Sequence, residues 1–346
     1  MHVLGEDQSI LKLDEIETGL RSHPPVPGLL KEREPFIVGL ESWVARDDTV
    51  YWDINPETAN PEFFDYYLRA IQKALNEAED TVVENGAIVW KLYSSGFLIK
   101  TPDGIIAIDA VEGPFKSLSR SPEEQEGFLF HWTPKMRRQF AAIVDILFIT
   151  HRHYDHASWA LAKALGETGK TVVVTEEFKE RIWVRSPFAK SLRTIDPETD
   201  TQVGNFTVQT FQAVQAMQKD ESGEYSVRPG DPEHNVYLIR DRQGFTFLHN
   251  GDNRGREFTP WLKEVVAEGW APDVWLKITA WPSQLVNQVM EITQPVMVPG
   301  HEWEFGHKPK YGTNKLLPFY KYQGLKYATQ EKMLILTWGE SYHFEG

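Results

Sequence analysis

The stretch Ile143-Val144-Asp145-Ile146-Leu147-Phe148-Ile149-Thr150-His151-Arg152-His153-Tyr154-Asp155-His156 reads as a buried strand running straight into a His-x-His-x-Asp-His cluster. The residues from Ala157 onward read as a helix. Three imidazoles and a carboxylate within six positions form a dense set of ligands for a divalent cation, because borderline metals favour imidazole nitrogen and a carboxylate compensates charge. Ligands at 151 and 153 alternate, which suits an extended or looped backbone better than one helix face. A lone His is usually structural, but three of the chain's 11 His fall in this one segment, with an Asp among them.

Two further segments share this logic. Phe247-Leu248-His249-Asn250-Gly251-Asp252 sets an Asp just beyond an apolar strand, behind a Gly that permits a tight turn. Pro295-Val296-Met297-Val298-Pro299-Gly300-His301 ends another apolar strand on a His. Strand ends at one sheet edge can converge on a single pocket. Taken alone, Gly-Asp reads as a turn and His301 as a structural residue.

Around these segments the pattern is a two-sheet α/β protein. Strands are expected at 87–92, 96–100, 105–109, 171–175, 206–211, 236–239 and 245–249, with turns at Thr101-Pro102-Asp103-Gly104 and Asp241-Arg242-Gln243-Gly244. Helices are expected near 157–166 and 259–268. Residues 1–85 differ. Pro24, Pro25, Pro27 and Gly28 point to a loop or surface arm, followed by one helix from Pro61 to Ala78 with Phe64, Leu68, Ile71 and Leu75 as its stripe and Asn60 as its cap. The division expected is an N-terminal extension over 1–85 and a catalytic domain over 86–346.

Composition narrows the chemistry. With no cysteine among 346 residues, disulfides, thiolate zinc sites and Cys nucleophiles are excluded, and any metal must sit among His, Asp and Glu. The formal charge of −14 disfavours nucleic acid as a partner. No run of about eighteen apolar residues suggests a membrane span, and the N-terminus lacks a basic start followed by an apolar stretch. The expected setting is the cytoplasm, the expected partner a small-molecule substrate, and the helical extension makes a homo-oligomer plausible.

The ordered set His151, His153, Asp155, His156, Asp252 and His301 resembles the metallo-β-lactamase fold superfamily over about residues 86–310. Asp109 matches the early Asp that buttresses such sites. Within the superfamily, Gly86 to Asp109, Glu233 to Leu238 and His249 to Asp252 are similar to the branch containing L-ascorbate-6-phosphate lactonase. The resemblance implies an αββα sandwich with metals at one edge. By carry-over, His151 and His153 would hold a first metal, Asp155, His156 and His301 a second, and Asp252 would bridge them. One or two divalent ions are implied, Zn²⁺ or Mn²⁺ foremost, with Fe²⁺ as a further option, and they would activate water against an ester, lactone, amide or phosphoester. Asp155 would double as catalytic proton relay.

The chain departs from the family pattern at one ligand. Gln218 stands where a further His is usual, and His234 is the nearby imidazole that would replace it, orient a ligand, or touch substrate. Trp281, Trp303, Tyr311, His307 and Arg254 are pocket candidates by proximity in sequence. The alternative function is a non-catalytic or regulatory metal-binding protein with a degraded site. A di-iron redox enzyme is a third class, and it would require a richer carboxylate set.

Overall fold

The computed structural model describes residues 11–45, 61–113, 132–153, 155–197, 199–213, 217–219, 225–227, 230–253, 257–278, 283–301 and 325–346. Two mixed sheets face each other. The first has seven strands: β1 (Ala87–Lys91), β2 (Phe97–Thr101), β3 (Gly104–Ile108), β4 (Ile146–Phe148), β5 (Thr171–Val173), β6 (Leu192–Arg193) and, from the far end of the chain, β15 (Ser341–Phe344), in the order β15-β1-β2-β3-β4-β5-β6. The second holds β7 (Thr201–Val203), β8 (Phe206–Ala213), β11 (His234–Arg240), β12 (Thr246–His249), β13 (Val274–Ile278) and β14 (Val296–Gly300), in the order β14-β13-β12-β11-β8-β7. A ribbon of β9 (Met217–Lys219) and β10 (Tyr225–Val227) stands apart.

The strands are apolar on both faces because each sheet is covered twice. Along β1, Ala87 and Val89 point into the core between the sheets, while Ile88 and Trp90 join the larger outer core. β11 repeats the alternation with Tyr237 and Ile239 inward and Val236 and Leu238 outward. That outer core takes in helices α3 (Pro61–Asp80), α4 (Pro134–Ile143), α5 (Trp159–Glu167), α6 (Phe258–Ala267) and α7 (Ser283–Ile292). This is the expected αββα sandwich.

Two expectations are corrected. The strand before the His cluster is shorter than the apolar run: it covers Ile146–Phe148, and Ile143 closes α4. Pro134 at the first helical turn and the Thr133 hydroxyl, which accepts from Met136 N at 3.2 Å, start that helix and claim the residues up to 143. Among the described residues the extension also holds three helices rather than one. Ahead of α3 come α1 (Leu13–Ser22) and α2 (Glu34–Ala45). Leu13, Ile16 and Leu20 form the buried stripe of α1, at helical spacing that the prolines downstream had masked. Glycines let α1 and α2 cross closely: a Cβ on Gly19 would fall 2.1 Å from the Phe36 ring, and one on Gly39 would fall 3.1 Å from Ile16. Asn60, the expected cap of α3, lies outside the described residues.

The extension is stitched to the C-terminal residues. Gly28 N donates to Met333 O at 2.9 Å, and buried Arg33 pairs with Glu340 at 2.5 Å while also donating to the His23 carbonyl. A short helix, α8 (Tyr327–Glu331), precedes that segment. Among the described residues no helix is long and apolar enough to cross a membrane. Removing one partner of a buried pair strands the other charge, so Arg33→Ala should lower stability by about 3–5 kcal/mol. A urea midpoint unchanged within error would show the pair contributes nothing.

Candidate metal centre

Asp109 ends β3 with a left-handed φ of 46° and is fully buried. Its Oδ1 accepts from Thr150 N at 2.8 Å. Its Oδ2 accepts from Thr150 Oγ1 at 2.8 Å, from His156 Nδ1 at 2.7 Å and from His249 Nε2 at 2.8 Å. Burial alone would raise this carboxyl, but the charges and hydrogen bonds of His156 and His249 outweigh it and hold the group far below the usual carboxylate range.

Donor–acceptor accounting then orients the ligands. His156 gives its Nδ1 proton to Asp109, so its Nε2 points the other way, 3.1 Å from Asp252 Oδ1 and 3.8 Å from Asp155 Oδ2. That Nε2 is buried and has no hydrogen-bond partner among the described residues. Thr150 Oγ1, having donated to Asp109, accepts from His151 Nδ1 at 3.0 Å, which leaves His151 Nε2 facing His153 Nδ1 at 2.9 Å.

The second sheet supplies the rest. Asp252 follows β12 and spans the site: Oδ1 faces His156 and His301 at 3.1 and 3.2 Å, and Oδ2 faces His151 at 3.9 Å. Gly251 has φ 46°, and a Cβ there would lie 2.5 Å from His234 Nε2 and 2.7 Å from Thr150 Oγ1, so the turn that presents Asp252 admits only Gly. His301 follows β14 with φ 63° and sets Nε2 3.0 Å from Asp155 Oδ2. Its backbone N donates to Ser94 O at 3.1 Å, a carbonyl that also accepts from the buried Lys91 ammonium.

Two groups of ligand atoms lie within reach of a single ion: His151, His156 and Asp252, and Asp155, His156 and His301. His153 joins the first through its contact with His151, and Asp252 touches both groups. The donor set is imidazole and carboxylate, and its buried nitrogen and oxygen atoms converge on one another, an arrangement that suits a divalent cation.

His234 stands behind this cluster. Its ring stacks on His151 at 4.5 Å between centroids, and its Nε2 donates to Asn250 O at 3.3 Å. Burial lowers its pKa to about 4. Gln218 sits in the β9–β10 ribbon opposite Ser226, and its side chain lies outside the described residues, as do Trp281, Trp303, Tyr311, His307 and Arg254. Thr150 and His249 were not singled out by sequence reading. The signal for His249 is an imidazole at the end of a wholly buried strand, where its nitrogens must find partners; Nδ1 finds Leu276 O at 3.2 Å.

Burial and the neighbouring His156 push His151 well below the ordinary histidine value. His153 is lowered by burial as well. Burial disfavours charge on His156 too, but Asp252, Asp109 and Asp155 overturn that and raise it well above the ordinary value. Asp155 and Asp252 are held low by the facing histidines against the effect of burial.

Residues 88–259 match the beta-lactamase superfamily domain. Solved structures with this fold include an isothiocyanate hydrolase from Delia radicum gut bacteria, 14% identical, covering 75% of this chain and 99% of its own, with a TM-score of 0.51. Another is a possible metal-dependent hydrolase from Veillonella parvula, 11% identical, covering 75% of this chain and 100% of its own, with a TM-score of 0.53. No curated protein matches the sequence.

Two outcomes are expected. His156 carries a proton that a bound cation must displace, so uptake of Zn²⁺ or Mn²⁺ should release protons and weaken as pH falls from about 8 to about 6. Calorimetry in buffers of different ionisation heat reads this directly, and proton-neutral uptake would contradict the site. Asp109→Asn keeps the size but cannot accept from two imidazoles, so metal affinity should drop about 10–100-fold by competition with a chelating dye.

Proposed function

We propose that this chain, which carries a beta-lactamase superfamily domain in a metallo-β-lactamase fold, is a metal-dependent hydrolase of small molecules. The observation that supports this most strongly is Asp252, whose Oδ1 faces His156 and His301 at 3.1 and 3.2 Å while its Oδ2 faces His151 at 3.9 Å. That arrangement suits a pair of divalent ions, with His151 and His153 on one side, Asp155, His156 and His301 on the other, and Asp252 between. Zn²⁺ or Mn²⁺ suits the donors.

Held by these residues, a divalent cation would supply a water of lowered pKa, from 15.7 towards about 7, and polarisation of the oxygen of the bond under attack. The residues do the rest. Asp109 keeps a proton on His156 Nδ1 and so keeps Nε2 available as a ligand atom. Thr150 does the same for His151. The stacked ring of His234 closes the rear of the site. His153 is only half-buried and marks the open side through which substrate enters.

Asp155 fits the ligand role better than the proton-relay role, because the histidines facing it hold its carboxyl low and make it a weak proton acceptor. For the substrate class we put forward a lactone or a phosphorylated sugar ester, on the resemblance of Gly86 to Asp109, Glu233 to Leu238 and His249 to Asp252 to the L-ascorbate-6-phosphate lactonase branch. Cytoplasmic residence belongs to the same proposal and rests on composition alone.

The test is an assay of metal-loaded protein against lactones, carboxylic esters, phosphoesters and an isothiocyanate. Turnover of one class is expected, and Asp252→Asn, His153→Ala and His156→Ala should each reduce it by at least about 100-fold. Metal uptake without turnover of any class would favour a binding or regulatory role. Undiminished turnover in His153→Ala would remove that residue from the site.

A further inference from the structure

We propose a second small-molecule site, away from the metal centre, for a planar apolar anion such as an aromatic carboxylate. It is a cleft of about 450 Å³ between α1, α3 and the turn before β15. That size is within the range of small-ligand pockets.

Its apolar wall includes Tyr66 and Trp338. Trp338 is wedged edge-on against Tyr67, with centroids 5.0 Å apart and planes at 79°. The turn beneath is rigid: Glu340 N donates to Thr337 O at 3.1 Å, and Thr337 N to Glu340 Oε2 at 2.8 Å. Gly339 has φ 72°, and a Cβ there would meet Ala70 O at 2.1 Å. A ligand would therefore meet a preformed surface.

Two observations point to an anion with hydrogen-bonding capacity. Thr337 lines the cleft at 1% exposure, and its hydroxyl oxygen is buried with no hydrogen-bond partner among the described residues. Buried hydroxyls are normally satisfied, and a ligand oxygen would satisfy this one. The rim is cationic in a chain whose formal charge is −14: Arg21, Arg69 and Lys73 line it against Glu17, while Glu340 is neutralised from below by Arg33. Arg69 pairs with Asp65 and contacts Glu17 at 3.8 Å, and Lys73 pairs with Glu77 at 3.3 Å. These side chains are exposed, so the pairs are weak and both cations can exchange their partner for a ligand carboxylate.

The cleft stands independently of the hydrolase reading, and the experiment separates the two. Indole-3-acetate, benzoate and the neutral indole-3-acetamide are titrated calorimetrically into the full-length metal-loaded protein. A carboxylate could also bind at the metal centre, so His156→Ala is titrated in parallel. The expected result is saturable binding of indole-3-acetate to wild type and to His156→Ala alike. Indole-3-acetamide should bind about ten-fold more weakly or worse, and so should indole-3-acetate to Arg69→Glu/Lys73→Glu. Thr337→Val should weaken binding without lowering the melting temperature, because it removes a hydroxyl that lacks a partner. Two results overturn the proposal: no saturable binding to wild type, as when the chain's own residues fill the cleft, or binding that depends on His156 and ignores the cleft substitutions.

Discussion

One carboxylate organises the metal centre. Asp109 takes four hydrogen bonds, from Thr150 twice and from His156 and His249 once each. Its position at the end of β3 is central to the first sheet, and His249 reaches it from β12 of the second. The bond between them therefore pins the two sheets together at the edge where the ligands emerge. Asp109 also holds the His156 ring so that Nδ1 is spent on Asp109 and Nε2 is the nitrogen turned to Asp252 and Asp155. A buried carboxylate with four donors is well satisfied, which is why it remains charged without exposure.

The ligands arrive by the same geometric rule from both sheets. β3 and β4 run parallel, as do β12, β13 and β14, so their C-terminal ends lie along one edge. Asp109, the 151–156 loop, Asp252 and His301 all follow such ends. Positive φ at Asp109 and His301, and the Gly at 251, mark where the chain must turn sharply to aim a side chain inward. Those turns carry strain, which the surrounding sheets over-determine.

Much of this was legible in the sequence because the ligands come packaged with their strands. The His-x-His-x-Asp-His run is contiguous, and Asp252 and His301 each end an apolar stretch. Thr150 and His249 escaped because their meaning is a contact: His249 meets Asp109 across 140 positions of chain, and no local pattern encodes that. α1 and α2 escaped for a different reason. Prolines 24, 25 and 27 sit between the two helices, and their turn signal obscured the short stripes on either side. Ile143 is apolar and fits the strand or the helix equally well by pattern, and only the Thr133 cap and Pro134 decide for the helix. His234 belongs at the centre as expected, but it backs His151 rather than joining the grouped ligand atoms.

Asp252 has a consequence for how the chain holds together. It and His301 come from the second sheet, while His151, His153, Asp155 and His156 come from the first. A cation shared among them would close chain loops of about 100 and about 145 residues, counted from His156, and closing loops of that length restricts an unfolded chain as a disulfide would. In a protein without a single cysteine, the ion would be the fastener between its halves. Stripping it would then loosen the whole sandwich along the seam, well beyond the few residues that grip it.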